Sequence, residues 1–192
     1  MSLVLFAGPT LEPVTVQEAT DWARITESSE DDLVDGLIRS ARAHVEQLTG
    51  RALITQTWDL YCDEFPEQFD IPKPPLQSVS FIKYTDATGT VQTLASTEYT
   101  VDAKCEPGRI VPAYGKTWPS TQYVPNAVQV RFVAGYGPAA LDIDARAPEL
   151  RQAIGVLVAT MYEQRETNTD QQMVDVPEAF YQLVNQHRIY WL

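Results

Sequence analysis

The sequence predicts an α+β protein in which a pair of helices at each end of the chain flanks an antiparallel β region. Apolar residues recur at helical spacing near both ends, and the middle of the chain is rich in β-formers, prolines and turn residues. The length of 192 residues suits one domain. We expect a single domain over 1–192, helical over 1–50, β-rich over the insertion 51–137, and helical again over 138–192.

Capping residues mark the N-terminal helix pair. Thr15 and Glu18 have the spacing of a capping box, which predicts a short helix whose buried face carries Trp22 and Ile25. Ser29 is a favourable N-cap for a second, longer helix. Apolar residues then follow at helical spacing: Leu33, Leu37, Ile38, Ala41, Val45 and Leu48. We expect this helix to end at a C′ glycine, residue 50.

The central region contains short segments that alternate apolar and polar residues or consist of β-formers. These predicted strands cover 54–61, 79–84, 91–94, 99–101, 109–111 and 127–134. In the last of them the alternation places Val128, Val130 and Phe132 on one face, and Gln129 and Arg131 on the other. Helices are predicted to resume at Pro148, a favourable first helical residue, after an entry turn that contains Asp142 and Asp144. A polar loop over 167–175 is expected to separate this helix from a last one, which runs from Pro177 to the C-terminus.

The charge balance excludes several classes of function. The chain has 14 basic and 26 acidic residues, a net charge of -12. A nonspecific nucleic-acid binder and a protein held at an anionic membrane surface both need a basic face. No apolar run approaches the ~20 residues that span a bilayer, and the N-terminus does not resemble a signal peptide. We therefore expect a protein that stays in the cytoplasm in which it is made.

The sequence offers no convincing catalytic or cofactor-binding motif, so we expect no cofactor, no metal and no enzymatic activity. His44 and His187 lack a second ligand at metal-binding spacing. Cys62 and Cys105 match neither a disulfide framework nor a redox motif, and we interpret both as free thiols. The pair Gly135-x-Gly137 is followed by proline instead of a phosphate-binding helix.

Aromatic residues in predicted loops and at the C-terminus are candidate partner contacts, because aromatic side chains often anchor protein interfaces. An alternative explanation, that each covers the edge of the core, is equally compatible with the sequence. The candidates are Trp118, Tyr123, Tyr136, Tyr190 and Trp191.

A series of motifs along nearly the whole chain resembles the head–tail connector (adaptor) proteins of long-tailed phages, prophages and gene transfer agents. The motifs keep the order found in that family, although the last ~25 residues match it least. They are Pro13-Val14-Thr15-Val16-Gln17-Glu18-Ala19, Asp31-Asp32-x-Val34, Ile38-x-x-Ala41-Arg42-x-x-Val45-Glu46-x-x-Thr49-Gly50-Arg51, Leu53-Ile54-Thr55-Gln56-Thr57-Trp58, Pro74-Pro75-Leu76-Gln77-Ser78-Val79, Tyr99-x-Val101-Asp102, Pro107-Gly108-Arg109-Ile110, Trp118-Pro119, Val130-Arg131-Phe132-Val133-Ala134-Gly135-Tyr136-Gly137, Ala153-Ile154 and Tyr162-Glu163-x-Arg165-Glu166.

The resemblance implies a structural role in a virion. It implies a helical bundle with an inserted β region, assembled as a ring of about twelve subunits under the portal protein. The other partners would be a tail, stopper or tail-completion protein. DNA would pass through the lumen without specific binding, and repulsion by an acidic wall suits that task. The implied location is the host cytoplasm during assembly and the head–tail junction of the virion afterwards.

Two alternatives remain open. The carboxylates between Asp59 and Asp70 could belong to a phage-encoded hydrolase, which would need a cleft and one carboxyl group of raised pKa. The chain could also be another tail-completion protein that binds a tail tube instead of the portal. For the connector, the final helix with Tyr190 and Trp191 is the expected portal contact. Loops over 105–123 are the expected contact with ring neighbours or the tail.

Overall fold

The computed structural model describes residues 1–25, 28–164 and 177–190. The chain divides into two compact units. The β unit combines Met1–Pro9 with Thr55–Tyr136, and the helical unit combines Thr10–Ile54 with Gly137–Leu192. The mixed α+β class predicted from the sequence is confirmed, with antiparallel pairing between the strands.

The β unit contains a five-stranded sheet of order β1-β2-β8-β4-β5 and a three-stranded sheet of order β3-β7-β6. A short 3-10 turn, Ser96–Glu98, precedes β6. The strands are β1 Ser2–Ala7, β2 Gln56–Cys62, β3 Phe69–Ile71, β4 Leu76–Thr85, β5 Val91–Leu94, β6 Tyr99–Asp102, β7 Gly108–Pro112 and β8 Val128–Ala134.

Strand β8 lies at the centre of the larger sheet and has the two faces that its sequence predicts. Val128, Val130 and Phe132 are buried in the core. Arg131 lies on the opposite face, where its guanidinium group donates two hydrogen bonds of 2.7 Å to the carboxylate of Asp59 on β2. The alternation therefore separates an apolar core face from a face that holds an ion pair.

Strand β1 is an element that the sequence analysis did not predict. After Ser2, the strand consists only of apolar residues. It therefore lacks the alternation of apolar and polar residues that marks a strand with one buried face. The structure explains this pattern, because β1 is an edge strand with five of its six residues exposed. Leu3 faces Leu60 on β2 and is the one partly buried residue of the strand.

The described residues of the helical unit form five α-helices, and α4 packs against each of the other four. A 3-10 turn, Ser28–Glu30, precedes α2. The helices are α1 Val16–Ala23, α2 Asp31–Thr49, α3 Ala140–Asp144, α4 Pro148–Glu163 and α5 Glu178–Asn185. Most of α4 is apolar, which suits a helix surrounded by neighbours.

Several predicted helix ends are confirmed. The Glu18 N–H donates to the Thr15 hydroxyl at 3.2 Å and the Thr15 N–H donates to the Glu18 carboxylate at 2.8 Å, which completes the capping box of α1. Gly50 ends α2 with a φ of 74°, a conformation that glycine adopts without a Cβ clash. Pro148 is the first residue of α4.

Other helix predictions were wrong. The N-cap position of α2 is Glu30, because a 3-10 turn takes up Ser29. The last helix ends at Asn185 and does not continue to the terminus. Asp142 and Asp144 lie in the short helix α3 and not in an entry turn before α4. The loop expected over 167–175 lies outside the described residues.

Trp22 was predicted to be buried in the helix face of α1, but 46% of its surface is exposed. Its indole ring lies directly against α4 at Gly155, where an added Cβ would approach the ring carbon Cε3 to 2.2 Å. The absence of a side chain at residue 155 lets the ring approach the helix closely. Trp22 thus packs part of its ring against α4 and exposes the rest.

Two arginine side chains fasten the start of the helical unit. Arg42 on α2 contacts Glu12 at 2.7 Å and Glu46 at 2.9 Å. Arg151 on α4 donates to the main-chain oxygen of Pro13 at 2.6 Å. It also pairs with Glu18 on α1 and Asp144 on α3. The segment 12–13 is therefore held to two helices by side chains that are themselves mostly buried.

Candidate functional site

A long loop, residues 113–127, connects β7 to β8 without helix or strand of its own. Ordered loops of this length are usually functional. Its backbone is fastened at several points to neighbouring parts of the β unit. The Gln122 N–H donates to the Thr85 oxygen at 3.0 Å, and the Asn126 N–H donates to the Asp63 carboxylate at 2.8 Å. The loop is thus a defined surface of the β unit.

Trp118 anchors this loop from the inside. Its ring stacks on Phe65 with centroids 4.9 Å apart and meets Phe69 edge-on at 5.6 Å. Its indole N–H donates to the main-chain oxygen of Glu67 at 3.3 Å. Phe65 also contacts Tyr84 at 5.6 Å, so the cluster links β3 and β4. Trp118, a candidate partner contact, is only partly exposed and packs within the β unit.

The tyrosines on either side of Trp118 have the opposite environment. Tyr114 and Tyr123 are fully exposed. Sequence analysis singled out Tyr123 but missed Tyr114, which follows β7 by two residues and has no motif to mark it. Tyrosine supplies a large contact area at low entropic cost, so two exposed rings on one fastened loop are well suited to binding another protein.

A recess of about 400 Å³ lies beside Tyr123. It is lined by Asp63, Glu64 and the loop segment 121–125. Both carboxylates are exposed, and one oxygen of Asp63 already accepts the Asn126 N–H. The recess therefore combines negative charge with an aromatic ring at its edge.

The remaining aromatic candidates lie apart from this loop in the sequence. Tyr136 is half-buried at the end of the β unit. Tyr190 has 70% of its surface exposed and contacts the Arg188 guanidinium group through its ring at 5.5 Å. Trp191 lies outside the described residues. Trp118 and Tyr123 thus share one loop of the β unit.

The segment before Tyr190 is fixed to the helical unit through its backbone. The Ile189 N–H donates to the Thr49 oxygen at 2.9 Å, and Arg51 donates to the His187 oxygen at 2.6 Å. The His187 ring lies 3.2 Å from the Glu149 carboxylate, and this contact lowers the pKa of Glu149 together with a stronger backbone hydrogen bond. We call residues 187–189 the C-terminal clasp.

The carboxylates considered for a hydrolase do not have the geometry of a general acid. The Arg131 guanidinium group, through its hydrogen bonds, holds the pKa of Asp59 below its usual value, whereas a general acid needs a raised pKa. Asp63, Glu64, Glu67 and Asp70 are exposed in the loop and strand that follow. This arrangement gives the hydrolase alternative no support.

The surroundings of the histidines and cysteines favour a structural role for these residues. His44 stacks on Phe180 with ring centroids 6.0 Å apart. Cys62 and Cys105 are free, and burial raises the pKa of the Cys62 thiol. Within the described ranges, no three metal-ligating side chains come together, and no helix is long and apolar enough to cross a membrane.

Comparison with protein families identifies a match over about half of the chain. Residues 13–104 match the model of the family described as phage gp6-like head-tail connector protein. The match covers α1, α2 and the strands β2 to β6, and it confirms the resemblance that the sequence motifs indicate. Comparison with curated proteins finds no relative.

Solved structures with a similar fold come from gene transfer agent (GTA) particles. A chain in a structure titled "Neck of empty GTA particle computed with C6 symmetry" has a TM-score of 0.80 and 23% identity. A chain in "Virion of native gene transfer agent (GTA) particle" has a TM-score of 0.77 and 23% identity. A third, in "Neck of native GTA particle computed with C12 symmetry", has 0.73 and 21%. Each match covers 100% of this chain and 97% of the other.

Proposed function

From its resemblance to the phage gp6-like head-tail connector family, we propose that this chain is a structural connector subunit that joins a phage or prophage head to its tail. The family match over residues 13–104 carries this proposal. The similar folds in particle necks, which span the whole chain, support it further. The role is mechanical and needs no catalytic group.

The subunits assemble as a ring under the portal, with about twelve copies that match the portal's symmetry. One of the similar neck structures was computed with C12 symmetry, which supports this copy number. A cyclic ring needs two different, complementary surfaces on each subunit. The five helices form the bundle typical of connectors, and DNA passes through the lumen, where the negative charge of the chain prevents its adhesion.

The portal binds the C-terminal segment that follows the clasp, and the tail or stopper protein binds the loops of the β unit. Tyr190 supports the first contact, because it is an exposed aromatic residue held next to a fixed backbone. Tyr114 and Tyr123 support the second. Assembly takes place in the host cytoplasm, and the finished ring lies at the head–tail junction.

The direct test of this function mixes the purified protein with the portal protein of the same genome. Size-exclusion chromatography and negative-stain microscopy then report the complex. We expect co-elution and a two-tiered ring. If both proteins are folded at high concentration and no complex forms, the portal-bound role is wrong. A complex with the tail tube alone would instead favour a different tail-completion role.

Deleting residues 190–192 separates docking from folding. The deletion leaves the clasp contacts of Ile189 and His187 in place, so the circular dichroism spectrum and melting temperature should be unchanged. Portal binding should be lost. A matched control, Tyr114→Ala, removes an exposed tyrosine from the β unit and should still bind the portal. Normal portal binding by the truncated chain would exclude the C-terminus as the portal contact.

A further inference from the structure

We infer that the recess beside Tyr123 binds an arginine side chain presented by a partner protein. The recess is lined by Asp63, Glu64 and the segment 121–125, and its volume of about 400 Å³ exceeds that of one side chain. Identifying that partner as the tail-side neighbour rests on the proposed connector function. Binding of an arginine side chain by the recess does not depend on it.

The charge of the recess selects a cation. Two carboxylates line it, and the chain carries a net charge of -12, so phosphate groups of DNA or of lipids are repelled. A metal ion is disfavoured, since the described residues hold no cluster of three ligating side chains. A cationic side chain of another protein fits both observations.

The aromatic ring favours arginine over lysine. Tyr123 is fully exposed at the recess, so its ring face is free to stack against a planar guanidinium group. A guanidinium group can pair with a carboxylate through two parallel hydrogen bonds while it stacks, which an ammonium group cannot do. The loop backbone is already fastened through Gln122 and Asn126, so binding orders few additional groups.

A peptide titration tests the chemistry on the isolated full-length protein. The probe is acetyl-Gly-Ser-Arg-Ser-Gly-amide, and its matched control carries citrulline, which has the shape of arginine without the charge. Amide chemical shifts in ¹H–¹⁵N NMR spectra report binding. We expect saturable shifts at Asp63, Gln122, Tyr123 and Val124, with a Kd on the order of 1–10 mM at low salt. The citrulline peptide should bind at least fivefold more weakly.

Variants identify the groups that bind. Asp63→Asn keeps the oxygen that accepts the Asn126 N–H, so the double variant D63N/E64Q should remain folded and bind at least fivefold more weakly. Glu67→Gln removes one exposed carboxylate outside the recess and should bind as the wild type does. Equal affinity for the two peptides, unsaturable shifts, or an equal loss in E67Q would overturn the inference.

The connector function is tested separately with the same variants. D63N/E64Q should still form the ring with the portal, because the recess is not the proposed portal contact. If the wild-type protein does not bind the portal, the connector role is refuted, but the result of the peptide titration still holds. Salt-sensitive self-association with shifts at Tyr123 would show that a second copy occupies the recess, which would overturn the assignment to a different protein.

Discussion

Both units contain ion pairs between arginine and carboxylate side chains, but these pairs lie in different surroundings. The sequence ranges of the helical unit hold 17 acidic and 8 basic residues, a net charge of -9, whereas those of the β unit hold 9 and 6, a net of -3. In the helical unit, Arg42 and Arg151 each bind more than one carboxylate and fasten the chain segment 12–13. The helical unit therefore carries most of the net negative charge of the chain, and two of its arginines hold segment 12–13 in place.

The β unit uses an arginine inside an aromatic stack. The Arg131 guanidinium carbon lies 3.4 Å from the ring centroid of Phe6 on β1 and 5.1 Å from that of Phe81 on β4. Asp59 neutralises its charge. The exposed loop tyrosines lie in this less acidic unit. The β unit therefore repels an acidic partner less strongly than the helical unit does, because it carries less negative charge.

The largest effect should come from the core of the β unit. Phe132 on β8 is completely buried, and Phe132→Ala removes its ring and leaves a cavity. We expect a loss of about 3–5 kcal/mol in the free energy of unfolding. Urea denaturation monitored by circular dichroism measures it. The matched variant Val91→Ala alters an exposed residue of β5 and should change stability by less than about 0.5 kcal/mol. Similar losses in the two variants would show that β8 is not the centre of this core.

A smaller effect should come from the arginine fastener of the helical unit. Arg151→Met keeps the apolar stem but removes the bonds to Pro13, Glu18 and Asp144. The carboxylates are partly exposed, so solvent screening reduces the loss to roughly 1–3 kcal/mol. Arg39→Met, which breaks an exposed i,i+4 pair on α2, should cost less than about 0.5 kcal/mol. Equal effects in thermal denaturation would contradict the fastening role.

The smallest effect is a pH dependence in the β unit. Arg131 holds the pKa of Asp59 below its usual value, so the folded state favours the ionised carboxylate. That stabilisation is present above the pKa of the unfolded chain and is lost as the pH falls through the lower, folded value. The stability advantage of the wild type over Asp59→Asn should therefore be constant near neutral pH and shrink in acid, below about pH 4. An advantage that grows in acid would have the wrong sign.

Sequence reasoning succeeded where local signals determine the outcome. The alternation in β8 and the capping box at Thr15 are each set by neighbouring residues, and both are confirmed. It failed for β1 and β3. An exposed edge strand needs no alternation, and the three residues Phe69–Ile71 are too few to establish a period.

The environments of single side chains were harder to predict. Trp118 and Tyr123 lie five residues apart in one loop, yet one anchors the aromatic cluster and the other is fully exposed. Their difference depends on Phe65 and Phe69, which lie about fifty residues away in the sequence but adjacent in space. The packing of Trp22 against α4 depends in the same way on the distant Gly155. Such long-range contacts leave no pattern in the neighbouring sequence.

The connector role is tested most directly by deleting the gene from the phage or prophage genome and examining the induced lysate by electron microscopy. We expect DNA-packaged heads without tails alongside separate, complete tails, and expression of the wild-type chain in trans should restore joined particles. Particles that are fully tailed and infectious without the gene would contradict the account.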